Sequence, residues 1–176
     1  MGLAKAVQMK KLLKITYQKE NGEEIKRELK AVGMIFSEYY FYLIAYDGEQ
    51  ESTFPKVYRI DRITTYKVLN RSFKVPYHHR FQEGEFRKRI QFMHAGELMK
   101  IRFKFTGPST QAVLDRLPTA EVVSQDKSGV IFEAEVYGHG IKMWLLSQGE
   151  YVEVLSPQDL REEMKTLFEN MIEKYT

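Results

Sequence analysis

Short runs of apolar, aromatic and branched positions alternate with turn residues through most of residues 15–68. Ile15 and Tyr17 precede an Asn21-Gly22 pair that is followed by Ile25 and Leu29. Asn-Gly supplies the two positive φ angles of a type I′ turn, so this stretch predicts a β-hairpin. Residues 32–38 and 39–46 are dense in aromatic and branched side chains and close at Asp47-Gly48, which predicts two further strands, and residues 56–68 predict a fifth. Short strands joined by tight turns can bury one face only by curling on themselves, which favours a small SH3-like or OB-like barrel. Ahead of the strands, residues 3–13 set Leu3, Ala6, Val7, Met9, Leu12 and Leu13 among lysines and predict a short lead-in helix.

Past residue 70 the alternation stops. Pro76, Tyr77-His78-His79 and Gly84 interrupt it, and Arg71, Lys74, Arg80, Arg87, Lys88 and Arg89 cluster around Phe73, Tyr77, Phe81 and Phe86. The pattern predicts a basic connecting segment over 76–95 with one short helix near 85–90. Strand periodicity returns at Leu98, Ile101, Phe103 and Phe105. Residues 108–117 then read as a short helix stopped by Pro118, and 121–124 with 130–137 as a hairpin around Lys127-Ser128-Gly129. A helix over 141–147 and a strand over 151–155 complete the order β-α-β-β-α-β, that of a ferredoxin-like sandwich. The last helix is the best marked. Ser156 can cap it, Pro157 fits its first position, and Leu160, Met164, Leu167, Phe168, Met171, Ile172 and Tyr175 fall on one face. The chain thus reads as α+β, with a barrel over 1–75 and a ferredoxin-like module with a C-terminal helix over 96–176.

Composition sharpens this picture. The 176 residues are 43% hydrophobic and 29% charged, the proportions of a globular protein. No apolar run approaches the roughly 18 residues needed to span a bilayer, and the N-terminus lacks the pattern of a signal peptide, so no membrane partner and a cytoplasmic location are expected. The chain has no cysteine, which excludes disulfides, thiolate metal sites and a cysteine nucleophile. Residues 1–95 carry 18 Lys and Arg against 11 Asp and Glu, whereas residues 96–176 carry 9 against 13. A basic half followed by an acidic half argues for two modules and an anionic partner on the first; it also fits two surfaces that simply dock on each other.

Catalytic and metal chemistry find little support. Adjacent His78 and His79 would point to opposite faces of a strand, and neither His94 nor His139 stands at metal-ligand spacing, so no metal and no cofactor are expected. Gly138-His139-Gly140 lacks the remainder of a phosphate loop and reads as a tight turn. No nucleophile elbow is present, and Glu133 and Glu135 alternate as a solvated strand face would. The expectation is a binding protein rather than an enzyme.

What remains is cationic side chains among aromatics. Lys56-Val57-Tyr58-Arg59-Ile60-Asp61-Arg62-Ile63 sets two guanidinium groups three residues apart, near the aromatic run Tyr40-Phe41-Tyr42-Leu43. Guanidinium binds phosphate oxygens bidentately and stacks on base planes, and tyrosine offers a ring and a hydroxyl, so the mixture suits a nucleotide or single-stranded nucleic acid. The alternative is a pair of solvated strand charges on opposite faces, one of them paired with Asp61.

Tyr40-Phe41-Tyr42-Leu43-Ile44-Ala45-Tyr46 followed by Tyr58-Arg59-Ile60-Asp61-Arg62-Ile63 resembles the two signatures of the WYL domain family. Ile15-Thr16-Tyr17 and the Asn-Gly hairpin look like its opening strand. Trp144-Leu145-Leu146-Ser147-Gln148-Gly149, Val152-Glu153-Val154-Leu155-Ser156-Pro157 and Leu160-Arg161-Glu162-Glu163 are similar to the C-terminal extension that accompanies WYL domains. Phe41 stands where the family has tryptophan, and Ala31 where proline is common. The resemblance implies an SH3/Sm-like β-barrel followed by a ferredoxin-like extension. It further implies the ligand-sensing module of a bacterial transcription regulator, binding single-stranded nucleic acid or a nucleotide-like effector. By motif position the ligand-facing residues would be Tyr42, Arg59 and Arg62, with Tyr17 and Lys56 as additions. In such regulators the partner domain is a winged helix-turn-helix. About a dozen residues precede the first strand here, too few to form one, so a regulator fragment and a stand-alone interaction or dimerisation module both stand as expectations, with a homodimer expected.

Overall fold

The computed structural model describes residues 2–48, 54–74 and 81–176. It is α+β, with two antiparallel sheets and, among the described residues, five α-helices. Residues 1–86 and 87–176 form two compact units. The Tyr77-His78-His79 cluster and Arg80 lie outside the described residues.

In the first unit α1 (Leu3–Gln8) is followed by β1 (Lys11–Gln18), β2 (Glu24–Ser37), β3 (Tyr40–Asp47), β4 (Lys56–Arg59) and β5 (Ile63–Ser72). The lead-in helix is shorter than its hydrophobic pattern predicted: Lys10 turns the chain with a φ of 50°, and Leu12 and Leu13 already belong to β1. The β1–β2 hairpin forms, but not around a two-residue type I′ turn. Only Gly22 has positive φ, at 82°, while Asn21 uses its Oδ1 to accept the Glu23 N–H at 3.1 Å. Two predicted strands are one. β2 runs unbroken through 14 residues and absorbs its curvature in a bulge at Val32, between the pairs Ala31↔Ala45 and Gly33↔Ile44. Conversely, the expected strand 56–68 is two, divided by a 3₁₀ turn at Ile60–Arg62.

The strand order is β4-β3-β2-β1-β5, so two strands separated by three residues occupy opposite edges of the sheet. In a flat sheet those edges would lie about 19 Å apart. The four Cα steps from Arg59 to Ile63 can reach about 14 Å at most, so the sheet must curl. It is nevertheless not the closed barrel that was expected. β4 pairs with β3 and β5 with β1, and among the described residues no ladder joins β4 to β5, because the 3₁₀ turn carries the chain from one edge to the other without aligning them.

Strand alternation sorts this sheet's side chains. Leu13, Ile15, Leu29, Ala31, Leu43, Ala45 and Tyr58 face a core that includes Ala6 of α1. The opposite side carries the buried Leu12, Ile35 and Ile44, and Phe81 lies so close to Gly33 that an added Cβ would fall 2.8 Å from its ring.

The second unit contains α2 (Glu83–Arg89), which begins in the first, then β6 (Leu98–Phe105), α3 (Thr110–Arg116), β7 (Glu121–Asp126), β8 (Gly129–Tyr137), α4 (Gly140–Ser147), β9 (Val152–Ser156) and α5 (Gln158–Ile172). From β6 to β9 the order is the predicted β-α-β-β-α-β, and the strands lie as β7-β8-β6-β9 with every neighbouring pair antiparallel. Phe103 stacks on Phe132 and meets the edge of Trp144, and these anchor a core completed by Leu160 and Met164 of α5. Ser156 does not cap that helix as expected. It ends β9, its peptide bond to Pro157 is cis, and Pro157 itself takes the cap position in an extended conformation. Among the described residues no helix is long and apolar enough to cross a membrane.

Candidate functional site

The register of β3 on β4 decides which candidate residues meet. Tyr42 is the direct cross-strand partner of Arg59, so their side chains leave the same side of the sheet, away from the Tyr58 core. Tyr40 precedes Tyr42 by two positions and shares that face, and the Arg59 guanidinium lies over its ring, with Cζ 3.5 Å from the centroid. Arg59, Tyr42 and Tyr40 therefore form one cationic and aromatic surface.

The surface has a built-in anion. Arg59 donates from Nε to Asp61 Oδ1 at 3.1 Å and from Nη2 to Oδ2 at 2.6 Å, a bidentate pair. The hydrogen bonds from Arg59, and then its charge, hold the Asp61 carboxyl below the usual carboxylate range, and Asp61 in turn pushes the arginine pKa up. Mild acid thus leaves the pair intact. The Tyr42 hydroxyl is shifted upward, mainly by burial, with Arg59 opposing the shift.

The other candidates are elsewhere. Lys56 is three residues from Arg59 on the same strand, and an odd separation puts it on the opposite side, where its Nζ meets Asp47 at 3.3 Å. Tyr17, opposite Ile25 and Ile63, packs edge-on against Tyr58 with centroids 5.2 Å apart and belongs to the rim of the core. Arg62 lies in the 3₁₀ turn and reaches Glu20 of the β1–β2 turn at 3.0 Å. The two guanidinium groups are therefore held by different carboxylates rather than converging. Two contributors escaped sequence reasoning. Tyr40 could have been found from strand parity once Tyr42 was chosen. Glu20, 42 residues from Arg62, carries no local signal at all.

Comparison with known proteins bears on the same segments. A model of the WYL domain matches residues 1–68, which contain every one of these side chains, and a model of the WCX domain matches residues 97–172. The chain carries a WYL domain and a WCX domain. Its WYL domain followed by a WCX domain is the arrangement found in WYL regulators. No curated protein matches the chain. Among solved structures, a CRISPR Cas-related protein is similar at 16% identity and a TM-score of 0.59, over 98% of this chain and 49% of that one. Proteasome accessory factor B/C (PafBC) of Arthrobacter aurescens is similar at 19% identity and a TM-score of 0.41, over 91% of this chain and 24% of that one. The likeness to the CRISPR-related protein is one of fold, and the chain spans half or less of both structures.

Proposed function

We propose that this WYL–WCX chain is the effector-sensing part of a transcription regulator, and that its WYL domain receives a nucleotide-like anion or single-stranded nucleic acid at Arg59, Tyr42 and Tyr40. We read the curled first sheet as SH3/Sm-like and the second unit as ferredoxin-like. The observation that carries the proposal is the Arg59 guanidinium lying over the Tyr40 ring while its Nε and Nη2 grip a carboxylate. Asp61 occupies the bidentate fork that a phosphate would take, and the ring beneath keeps the fork oriented when the anion is exchanged. In this reading the effector displaces Asp61 from Arg59, and the end of the 3₁₀ turn that joins both sheet edges is released. An effector that binds the released arrangement better shifts the population towards it, and a winged helix-turn-helix partner domain responds. Arg62 and Lys56 add charge near the site without entering it. The module acts by binding and not by catalysis.

Titration of a fluorescently labelled oligonucleotide tests the reading. Arg59→Ala weakens binding roughly 10- to 100-fold, the worth of a charge-assisted hydrogen bond. Asp61→Asn, which removes the competing anion and keeps the shape, tightens it. Equal and salt-insensitive affinities for wild type and Arg59→Ala would overturn the site.

A second reading, an interaction module built around a homodimer, has its own observation. Phe168, Met171 and Ile172 continue the apolar stripe of α5 beyond the buried Leu160 and Met164 and are exposed, as is Tyr175 past the helix end.

A further inference from the structure

On the side of the first sheet away from its core, β2, β1 and β5 place Lys26, Lys14 and Lys67 on three adjacent strands, which stand two to four places along the sheet from the strand of Arg59. Lys14 and Lys67 are direct cross-strand partners. Like charges set opposite each other work against the sheet, so such a pair is ordinarily relieved by a carboxylate alongside. Here it is not. The residue opposite Lys14 on its other flank is Glu28, but Glu28 is held by Arg71, whose Nη2 lies 2.9 and 2.7 Å from its two oxygens. Glu24, opposite Gln18 on the same side of β2, lies 3.4 Å from the Thr64 hydroxyl, which has the Thr16 carbonyl at the same distance. Among the described residues no carboxylate pairs with Lys14, Lys26 or Lys67, and all three are exposed.

One rung along, Thr16 and Thr65 face each other, with Thr65 Oγ1 donating to Thr16 Oγ1 at 3.0 Å. Only one of their two hydroxyl hydrogens is used between them, so the other can serve an outside acceptor. The same rung continues to Lys26 on β2. Unneutralised ammonium groups beside a hydroxyl donor, spread over about 10 Å of sheet, exceed the footprint of a single phosphate and suit a chain of them.

We propose that this face binds the phosphodiester backbone of nucleic acid, as a surface separate from the Arg59 site. Its cationic groups are flexible lysines, and no aromatic side chain stands among Lys14, Thr16, Lys26, Thr65 and Lys67. Binding is therefore indifferent to sequence and steeply dependent on salt.

The test is fluorescence anisotropy of the full chain with a labelled oligothymidylate of about twenty nucleotides, between about 50 and 200 mM salt. In Lys14→Thr/Lys67→Thr the slope of log affinity against log salt falls by about 1.4, close to 0.7 for each single-strand phosphate that a lysine no longer neutralises. Threonine suits a strand and the opposed charges are gone, so the variant melts no lower than wild type. Arg59→Ala keeps the share of the slope that the lysines supply, which separates this surface from the effector site. An unchanged slope in the double lysine variant overturns the inference even if Arg59→Ala abolishes binding. A reduced slope with Arg59→Ala neutral supports it and removes the effector reading instead. Inorganic pyrophosphate competing as well as the oligonucleotide would point to a pocket for a small anion and overturn it too.

Discussion

Tyr58 shows how one position can serve packing and carry a proton. It faces the first core from β4, and burial pushes its hydroxyl pKa up to about 12, with the neighbouring Asp47 charge adding to the shift. The unfolded chain releases that proton near pH 10. Below pH 10 both states hold it; between about 10 and 12 the unfolded state alone loses it, so stability falls as pH rises through this window. The difference between 10 and about 12 corresponds to about 3 kcal/mol. Urea midpoints measured at intervals from pH 9 to 12 should show Tyr58→Phe losing less stability than wild type; parallel curves would contradict the assignment. The same scale explains what was legible in the site. Arg59 and Tyr42 could be chosen from sequence because both stand in recognisable strand motifs. Lys56 and Tyr17 entered the ligand set by motif position alone: the odd separation from Arg59 already sends Lys56 to the opposite side of β4, whereas only the register of β1 puts Tyr17 at the core rim. The pairing of Arg59 with Asp61, two residues away, was within reach of sequence, whereas that of Arg62 with Glu20 depends on a hairpin turn meeting a 3₁₀ turn.

Among elements, those defined by local chemistry were readable and those defined by tertiary strain were not. The strand at 98–105, the hairpin closed by Lys127 and Ser128, and the long final helix follow from periodicity and turn residues. The bulge at Val32 and the 3₁₀ turn at Ile60–Arg62 do not, because both arise where a curling sheet forces a regular pattern to bend. α5 carries a prediction of its own. Its first half is anchored by Leu160 and Met164, while Met171 is 45% exposed on the same stripe. A two-fold dimer through this stripe would bury Met171 twice. Each buried methionine contributes about 1.5–3 kcal/mol, so Met171→Glu should weaken dimerisation at least roughly a hundredfold. The monomer's circular dichroism should stay unchanged. Light scattering of wild type and variant decides it, and a wild-type chain that is monomeric at all concentrations would end the dimer reading.

For the whole chain, the two units differ in how they are held together. Among the described residues the first core cluster contains eight buried side chains, three of them alanines, whereas the second contains fifteen, including Phe103, Phe105, Phe132 and Trp144. Apolar area removed from water is the main stabilising term, and small side chains supply little of it, so the WYL unit should be the weaker. The opposed Lys14 and Lys67 weaken it further. The sequence supplies a separate reporter, since its one tryptophan, Trp144, sits in the second core. Tryptophan fluorescence follows the WCX unit alone, whereas far-ultraviolet circular dichroism follows both. On heating, the dichroism signal should begin to fall before the fluorescence changes. Leu13→Ala removes a fully buried side chain from the first core and should cost about 2–5 kcal/mol. In a domain this small that lowers the first transition by roughly 8 °C or more and leaves the fluorescence midpoint in place. Phe132→Ala should do the reverse. If both substitutions move one superimposable transition, the two units unfold together and the effector binding proposed at Arg59 must be read against the stability of the whole chain. If they separate, the WYL unit can reorganise around its 3₁₀ turn while the WCX unit stays folded, as sensing by population shift requires.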